Sequence, residues 1–199
     1  MDFDFSDDQQ ALRDAVAKWV EKSYGFERRQ QIVKAGGFDR GIYQELAELG
    51  LTGIYVDEAH GGLGMGPVEA MVVMEELGRG IVTEPLAQAF ITSAVLQTYG
   101  SDDLKAKWLP KIANGEALVV LAQQERKARY RLDVCEAKAA QTGAGHALTA
   151  LKNIGPAGDQ ADAFVVPAML DGKLALFLVE RSAQGVATAG YLTQDEARA

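Results

Sequence analysis

The sequence predicts an α+β, multidomain chain: an N-terminal all-α helical bundle followed by an antiparallel β-sandwich or barrel domain that is incomplete. Three observations predict it. Apolar residues recur at helical spacing through the first part of the chain. Past Asn114-Gly115 they gather into short strand-like runs. Turn signals, not further helices, separate those runs, which excludes an alternating βα architecture. The boundary falls near residue 116, dividing the chain into residues 1–116 and 117–199.

Taken in order, Ser6 and Gln9 form a capping box, in which each side chain satisfies a backbone N–H of the other residue. Leu12, Val16, Trp19 and Val20 then make one buried stripe. A second helix is expected from Phe26 to Ala35, stopping at Gly36-Gly37. Asp39 caps a third, which carries Ile42, Leu46 and Leu49 and ends at Gly50. Leu51 to Val56 is a short apolar link, and Glu58 to Gly66 a glycine-rich loop. Pro67 suits the first position of a helix whose buried face is Val68, Met71, Val72 and Leu77. Leu86 to Tyr99 and Leu104 to Ile112 follow, with Gly100 ending one helix and Ser101 capping the other. The expected strands are Ala117 to Gln123, Val134 to Gln141, His146 to Lys152, Ala163 to Met169 and Leu174 to Glu180. Gly143-Ala144-Gly145, Gly155-Pro156-Ala157-Gly158-Asp159 and Asp171-Gly172 supply the turns, and the polar stretch from Tyr191 to Ala199 brings no closing strand.

Composition narrows the function. The chain has 199 residues, 48% hydrophobic and 24% charged, near the globular average. Its 28 acidic and 20 basic side chains give a net charge of -8. That balance argues against a dedicated nucleic-acid binder, because phosphate neutralisation needs a basic surface. The lone cysteine, Cys135, suits a reducing compartment, and the acidic N-terminus lacks the order of a signal peptide. No apolar run approaches the roughly 20 residues of a membrane span. A cytoplasmic location is expected.

The glycine cluster Gly61-Gly62-Leu63-Gly64-Met65-Gly66 lacks the spacing and βαβ context of a dinucleotide loop and is expected to be a structural turn. His60, His146 and Cys135 have no metal-ligand spacing, so no metal site is expected. Glu45, Glu48, Glu75 and Glu76 fit solvated faces or ion pairs better than acid–base work. The densest positive run is Glu125-Arg126-Lys127-Ala128-Arg129-Tyr130-Arg131. Two readings stand: a solvated loop, or an anion clamp built on the bidentate fork of guanidinium. If the segment is extended, Lys127, Arg129 and Arg131 share one side and at most two of the four charges serve one ligand.

Several segments together resemble the acyl-CoA dehydrogenase family. They are Glu45-Leu46-Ala47-Glu48-Leu49-Gly50-Leu51, Glu58-Ala59-His60-Gly61-Gly62-Leu63-Gly64-Met65, Val73-Met74-Glu75-Glu76-Leu77-Gly78-Arg79-Gly80, and Lys107-Trp108-Leu109-Pro110-Lys111-Ile112-Ala113-Asn114-Gly115-Glu116. The stretch from Gln124 to Ala137 is also locally similar to the small subunit of pimeloyl-CoA dehydrogenase. The resemblance implies an FAD-dependent flavoenzyme that desaturates an acyl-CoA to the trans-2-enoyl-CoA, working as a homo- or hetero-oligomer with an electron-transfer flavoprotein-type acceptor. It assigns cofactor contact to Leu121, Gln123 and Gln124 on the first flavin segment and to Ile154 and Pro156 on the second. Tyr130 and Arg131 are assigned to substrate.

The resemblance also exposes departures. Where the family writes Thr-Glu-Pro and then Gly-Ser-Asp, this chain has Gln124-Glu125-Arg126 and later Tyr130-Arg131, so only the glutamate is kept. Where the family has an aromatic-Ile-Thr/Ser and then Asn-Gly, this chain has Ile154-Gly155-Pro156-Ala157-Gly158, between Lys152 and Ala161-Asp162. Pro156 brings neither an N–H nor a side-chain donor. The family's C-terminal helical bundle, which carries the catalytic carboxylate, has no counterpart in these residues. The chain is therefore expected to be a fragment, inactive alone, in which no catalytic residue is named. The alternative is a non-catalytic partner subunit of a heteromeric acyl-CoA dehydrogenase with a degenerate flavin site.

Overall fold

The computed structural model describes residues 4–129, 131–143, 145–153 and 155–199. Among the described residues six α-helices come first: α1 (Asp7–Ser23), α2 (Phe26–Lys34), α3 (Arg40–Glu48), α4 (Pro67–Arg79), α5 (Leu86–Tyr99) and α6 (Asp102–Ala113). Five strands follow: β1 (Val119–Leu121), β2 (Lys138–Thr142), β3 (Gly145–Thr149), β4 (Ala163–Leu170) and β5 (Lys173–Glu180). Among the described residues no helix is long and apolar enough to cross a membrane.

The helix starts follow their local chemistry. Gln9 N donates to Ser6 Oγ at 3.2 Å and Ser6 N to Gln9 Oε1 at 3.0 Å, the reciprocal box that opens α1. Asp39 Oδ1 accepts from Gly41 N at 2.7 Å to start α3. Pro67 occupies the first turn of α4, where Gly66 N donates to Glu69 Oε2 at 2.9 Å. Val16, Trp19, Ile42 and Leu46 are buried as expected. Leu49, Val68 and Met71 are not: they are 41%, 42% and 53% exposed. α4 buries Val72 and Leu77 as expected, together with Ala70, Val73 and Glu76, because α1 packs against that side.

The β region is one open sheet, not closed into a barrel. β5 lies antiparallel along all of β4, from Ala163–Glu180 to Leu170–Lys173. Asp171 and Gly172 both take positive φ in the turn between them, as a two-residue hairpin of matching twist requires. β2 and β3 form a second antiparallel hairpin, from Lys138–Thr149 to Thr142–Gly145. The expected all-antiparallel pattern fails at two joints. β1 pairs parallel to β4 over Val119–Ala163 to Leu121–Val165, and β2 meets β4 in parallel at Lys138–Met169. The chain between β1 and β4 is long enough for a crossover, which a parallel pair needs and a turn signal does not reveal.

Alternation along β1 and β4 makes the two sides of the sheet distinct. Val119, Ala163 and Val165 join the main core beside Leu86, Ala89, Trp108 and Leu109 of α5 and α6. Leu118, Val120, Phe164 and Val166 form a second cluster with Tyr43, Ala157 and Ala161. The first cluster welds helices to sheet; the second holds the chain segment around Ala157 against it.

Candidate functional site

Helix α5 sets β1 in place. Gln88 Oε1 accepts from Leu121 N at 2.8 Å, and Thr92 Oγ1 lies 3.4 Å from Val119 O. Ala122 N continues the β4 ladder to Val165 O at 2.9 Å. Two segments distant in sequence then meet, because Asn153 N donates to Gln124 O at 2.9 Å. The two expected flavin segments are thus neighbours.

Glu125 holds that junction. Its side chain is only 4% exposed, and Oε1 accepts from Lys152 Nζ at 2.6 Å and Ala137 N at 3.1 Å. Oε2 accepts from Glu136 N at 2.5 Å. Lys152 Nζ also donates to Pro167 O at 2.8 Å, tying the hub to β4. Burial pushes the Glu125 carboxyl up, but the Lys152 ammonium and the two N–H groups outweigh it and leave it below its ordinary value. Cys135 Sγ lies 3.6 Å from Glu125 Oε1, and burial pushes that thiol up, away from thiolate reactivity.

Beyond Glu125 the basic run is a turn and not an extended segment. Ala128 N and Arg129 N donate to Glu125 O at 3.0 and 3.2 Å, and Arg131 N to Ala128 O at 2.9 Å. The expected alternation of sides therefore does not hold, since these bonds curl the chain. Lys127 pairs with Glu136 at 2.8 Å, and Arg131 grips Asp133 through Nε at 3.0 Å and Nη2 at 2.5 Å. Arg126 and Arg129 have no acidic partner among the described residues. Gln123, Gln124, Ala128, Arg129, Arg131 and Leu132 line a cleft of about 200 Å³.

Of the residues expected at the site, Gln123, Gln124 and Arg131 share this cleft. Leu121 lies half-buried against the core with its N–H held by Gln88. Pro156 is exposed at the start of the loop that includes the 3-10 turn Gly158–Gln160. Tyr130 and Ile154 lie outside the described residues.

Elsewhere, the glycine-rich loop has a steric explanation. A Cβ on Gly62 would lie 2.5 Å from the Val56 carbonyl carbon, so the loop folds back on the chain that precedes it. His60 Nδ1 lies 2.6 Å from Asp57 Oδ1 within that loop. Glu45 pairs with Arg28 at 2.5 Å and accepts from Trp19 Nε1 at 3.1 Å, and Glu76 pairs with Arg13 and Arg79. Sequence reasoning missed two groups. Lys152 stands 27 positions from its partner, with no local signal. Glu84 is 5% exposed with both carboxylate oxygens unpartnered, and burial pushes its pKa up to about 7. A lone acid between Ile81-Val82-Thr83 and Pro85-Leu86 was the available clue.

Comparison with known proteins places this architecture. Residues 6–116 match the acyl-CoA dehydrogenase N-terminal domain. The acyl-CoA dehydrogenase FadE12 of Mycobacterium tuberculosis is 32% identical over 189 residues, covering 90% of this chain and 48% of its own. In the crystal structure of the ChsE4–ChsE5 complex of Mycobacterium tuberculosis, one chain superposes on all of this one with a TM-score of 0.89 at 28% identity, over 54% of its own length. An acyl-CoA dehydrogenase of Bacillus anthracis complexed with FAD superposes on 94% of the chain, and 33% of its own, with a TM-score of 0.79 at 25% identity. The chain spans about half the length of the curated relatives it matches. With the helical region matched almost end to end, the chain belongs to the acyl-CoA dehydrogenase family.

Proposed function

We propose that this chain is a partner subunit of a heteromeric, FAD-linked acyl-CoA dehydrogenase, with an altered flavin site that a second chain completes. The observation that carries this reading is the cleft beside β1. At about 200 Å³ it is smaller than the roughly 300–1,000 Å³ of a usual cofactor or ligand site. Its donors fit one edge of a flavin: the Gln123 and Gln124 amides and the Arg129 guanidinium suit acceptor-rich ring atoms. The second segment is weaker, since Pro156 has no N–H to offer. FAD, when bound, supplies the hydride acceptor for α,β-desaturation of an acyl-CoA.

This chain's own residues have supporting roles. Glu125 and Lys152 hold the two flavin segments at a fixed separation. Arg131 and Tyr130 are assigned to the acyl-CoA, with the Arg131 charge offset by Asp133. We divide the chain into a helical domain, residues 1–116, and a β domain, residues 117–199. The ChsE4–ChsE5 complex, a structure of two named chains, lends support to heteromeric assembly, as does the local similarity to the pimeloyl-CoA dehydrogenase small subunit. An electron-transfer flavoprotein-type protein is the proposed acceptor.

The test is the visible spectrum of the natural full-length protein, purified alone and after co-expression with a neighbouring dehydrogenase chain. Colourless protein that gains a flavin band only with its partner supports the subunit reading. Stoichiometric flavin and acyl-CoA oxidation by the protein alone would overturn it in favour of a self-sufficient dehydrogenase.

A further inference from the structure

The polar stretch at residues 190–199 folds into a tight loop. Tyr191 and Ala199 exchange backbone hydrogen bonds at 2.9 Å in each direction, Leu192 bridges Arg198, and Thr193 N donates to Ala197 O at 2.9 Å. It is fastened to the helices at two places. Arg29 Nη2 of α2 donates to Asp195 O at 3.1 Å, and Arg198 N to Gly37 O at 3.0 Å. Gly37 has φ +80, and a Cβ there would lie 2.6 Å from both Glu196 O and Leu192 Cδ2. The loop seats only where that side chain is missing.

The same residue, Arg198, reaches across to the second flavin segment. Its Nε and Nη2 donate to Asp159 Oδ1 and Oδ2 at 2.9 and 2.6 Å, a bidentate fork, and its carbonyl accepts from Ala157 N at 2.7 Å. Arg198 holds the Asp159 carboxyl below its ordinary value. Four hydrogen bonds of one residue thus span helix end, strap and site loop. Ala157, in the left-handed region at φ 49, immediately follows Pro156. Arg181 and Arg40 also reach this loop, Arg181 on the carbonyls of Asp159 and Ala161 and Arg40 on that of Gln160, but neither bonds the Asp159 carboxylate or the backbone of Ala157.

We propose that Arg198 is a positioning residue for the flavin site: it clamps the loop of residues 155–160 to Gly37 and so places the wall that carries Pro156. The proposal rests on the flavin-site reading above. It differs from a purely structural role in that loosening is confined to this wall.

The experiment compares wild type, Arg198→Ala, Arg198→Lys and Asp159→Ala in the natural full-length protein with its partner. Amide hydrogen exchange is read at Ala157, Gly158 and Gln160, with Val165 and Leu178 of the β4–β5 ladder as the internal reference. FAD affinity is read separately by titrating the apoprotein. We expect Arg198→Ala and Asp159→Ala to speed loop exchange at least tenfold with the ladder unchanged, and to weaken FAD binding at least tenfold. Arg198→Lys, which keeps the charge without the fork, should recover part of both. Unchanged loop exchange, or loop and ladder rising together, would overturn the proposal; so would a loosened loop with unaltered FAD affinity. Wild-type protein that takes up no FAD even with its partner would sink the flavin-site reading, while the exchange data still decide whether Arg198 holds the loop.

Discussion

Lys152 donates to both Glu125 at 2.6 Å and the Pro167 carbonyl at 2.8 Å, so one ammonium joins the chain after β1 to the middle of β4. Both side chains are nearly out of solvent, 11% and 4% exposed. Such a pair is no strong source of net stability, because desolvation opposes the attraction. Its consequence is geometric: with the Glu136 and Ala137 N–H groups added, both oxygens of the carboxylate are held by donors.

Removing one partner should therefore be severe. Lys152→Met leaves a buried carboxylate uncompensated and is expected to lower unfolding stability by about 3–5 kcal/mol. Denaturant titration checks this, and a midpoint equal to that of wild type would remove the pair from the account. Because the Glu125 carboxyl lies below its ordinary value in the fold, its contribution is present above pH 4.5 and declines as pH falls through the depressed value. Glu125→Gln should flatten that acid limb.

Glu84 has the opposite sign. Burial comes first among its causes and the Asp39 charge adds to it, while Tyr24 acts the other way. Raised from 4.5 to about 7 in the fold, the Glu84 carboxyl costs nothing below pH 4.5, opposes folding increasingly as pH rises above 4.5, and reaches its full penalty above about pH 7. Glu84→Gln should match wild type near pH 4 and exceed it by about 2–3 kcal/mol at pH 8. Parallel stability–pH curves for the two proteins would refute this.

The basic turn divides into paired and unpaired charges. Arg126→Ala or Arg129→Ala should weaken binding of a phosphate-bearing ligand by about one to two decades in the assembled protein, and less so at high salt. Lys127→Ala should change affinity less than twofold, since Glu136 already holds its charge. Equal and negligible effects from all three would make the run a solvated loop.

Gly62→Ala drives a methyl group into the Val56 carbonyl. We expect a loss of about 1–3 kcal/mol by thermal or denaturant unfolding, with ligand affinity of the folded fraction unchanged. A change in affinity without loss of stability would return this loop to consideration as a binding element.

The helices were legible because their determinants are local. Ser6 with Gln9 and Asp39 with Gly41 are contacts within three residues, Pro67 sits in the first turn of α4, and each marks a helix start in the sequence as it does in the fold. The candidate site was legible only as two segments. Their resemblance to flavin strands singled out Gln123, Gln124 and Pro156, of which the first two line the cleft, yet nothing local indicated that Asn153 would bond to Gln124 or that Lys127 would pair with Glu136.

By itself, then, the sequence determined the order of helices and strands, the caps, the Asp171-Gly172 turn and the family. Only the tertiary structure decided the rest. It turned Val68 and Met71 outward and Val73 inward on α4, ran β1 parallel to β4, and paired Glu125 with Lys152 and Asp159 with Arg198. The reason is one of range. A cap or tight turn gains its hydrogen bonds among residues a few positions apart, where backbone preference alone selects the shape. Partners 27 and 39 positions apart meet only after the intervening chain has closed and desolvated them, and that outcome depends on every element packed between.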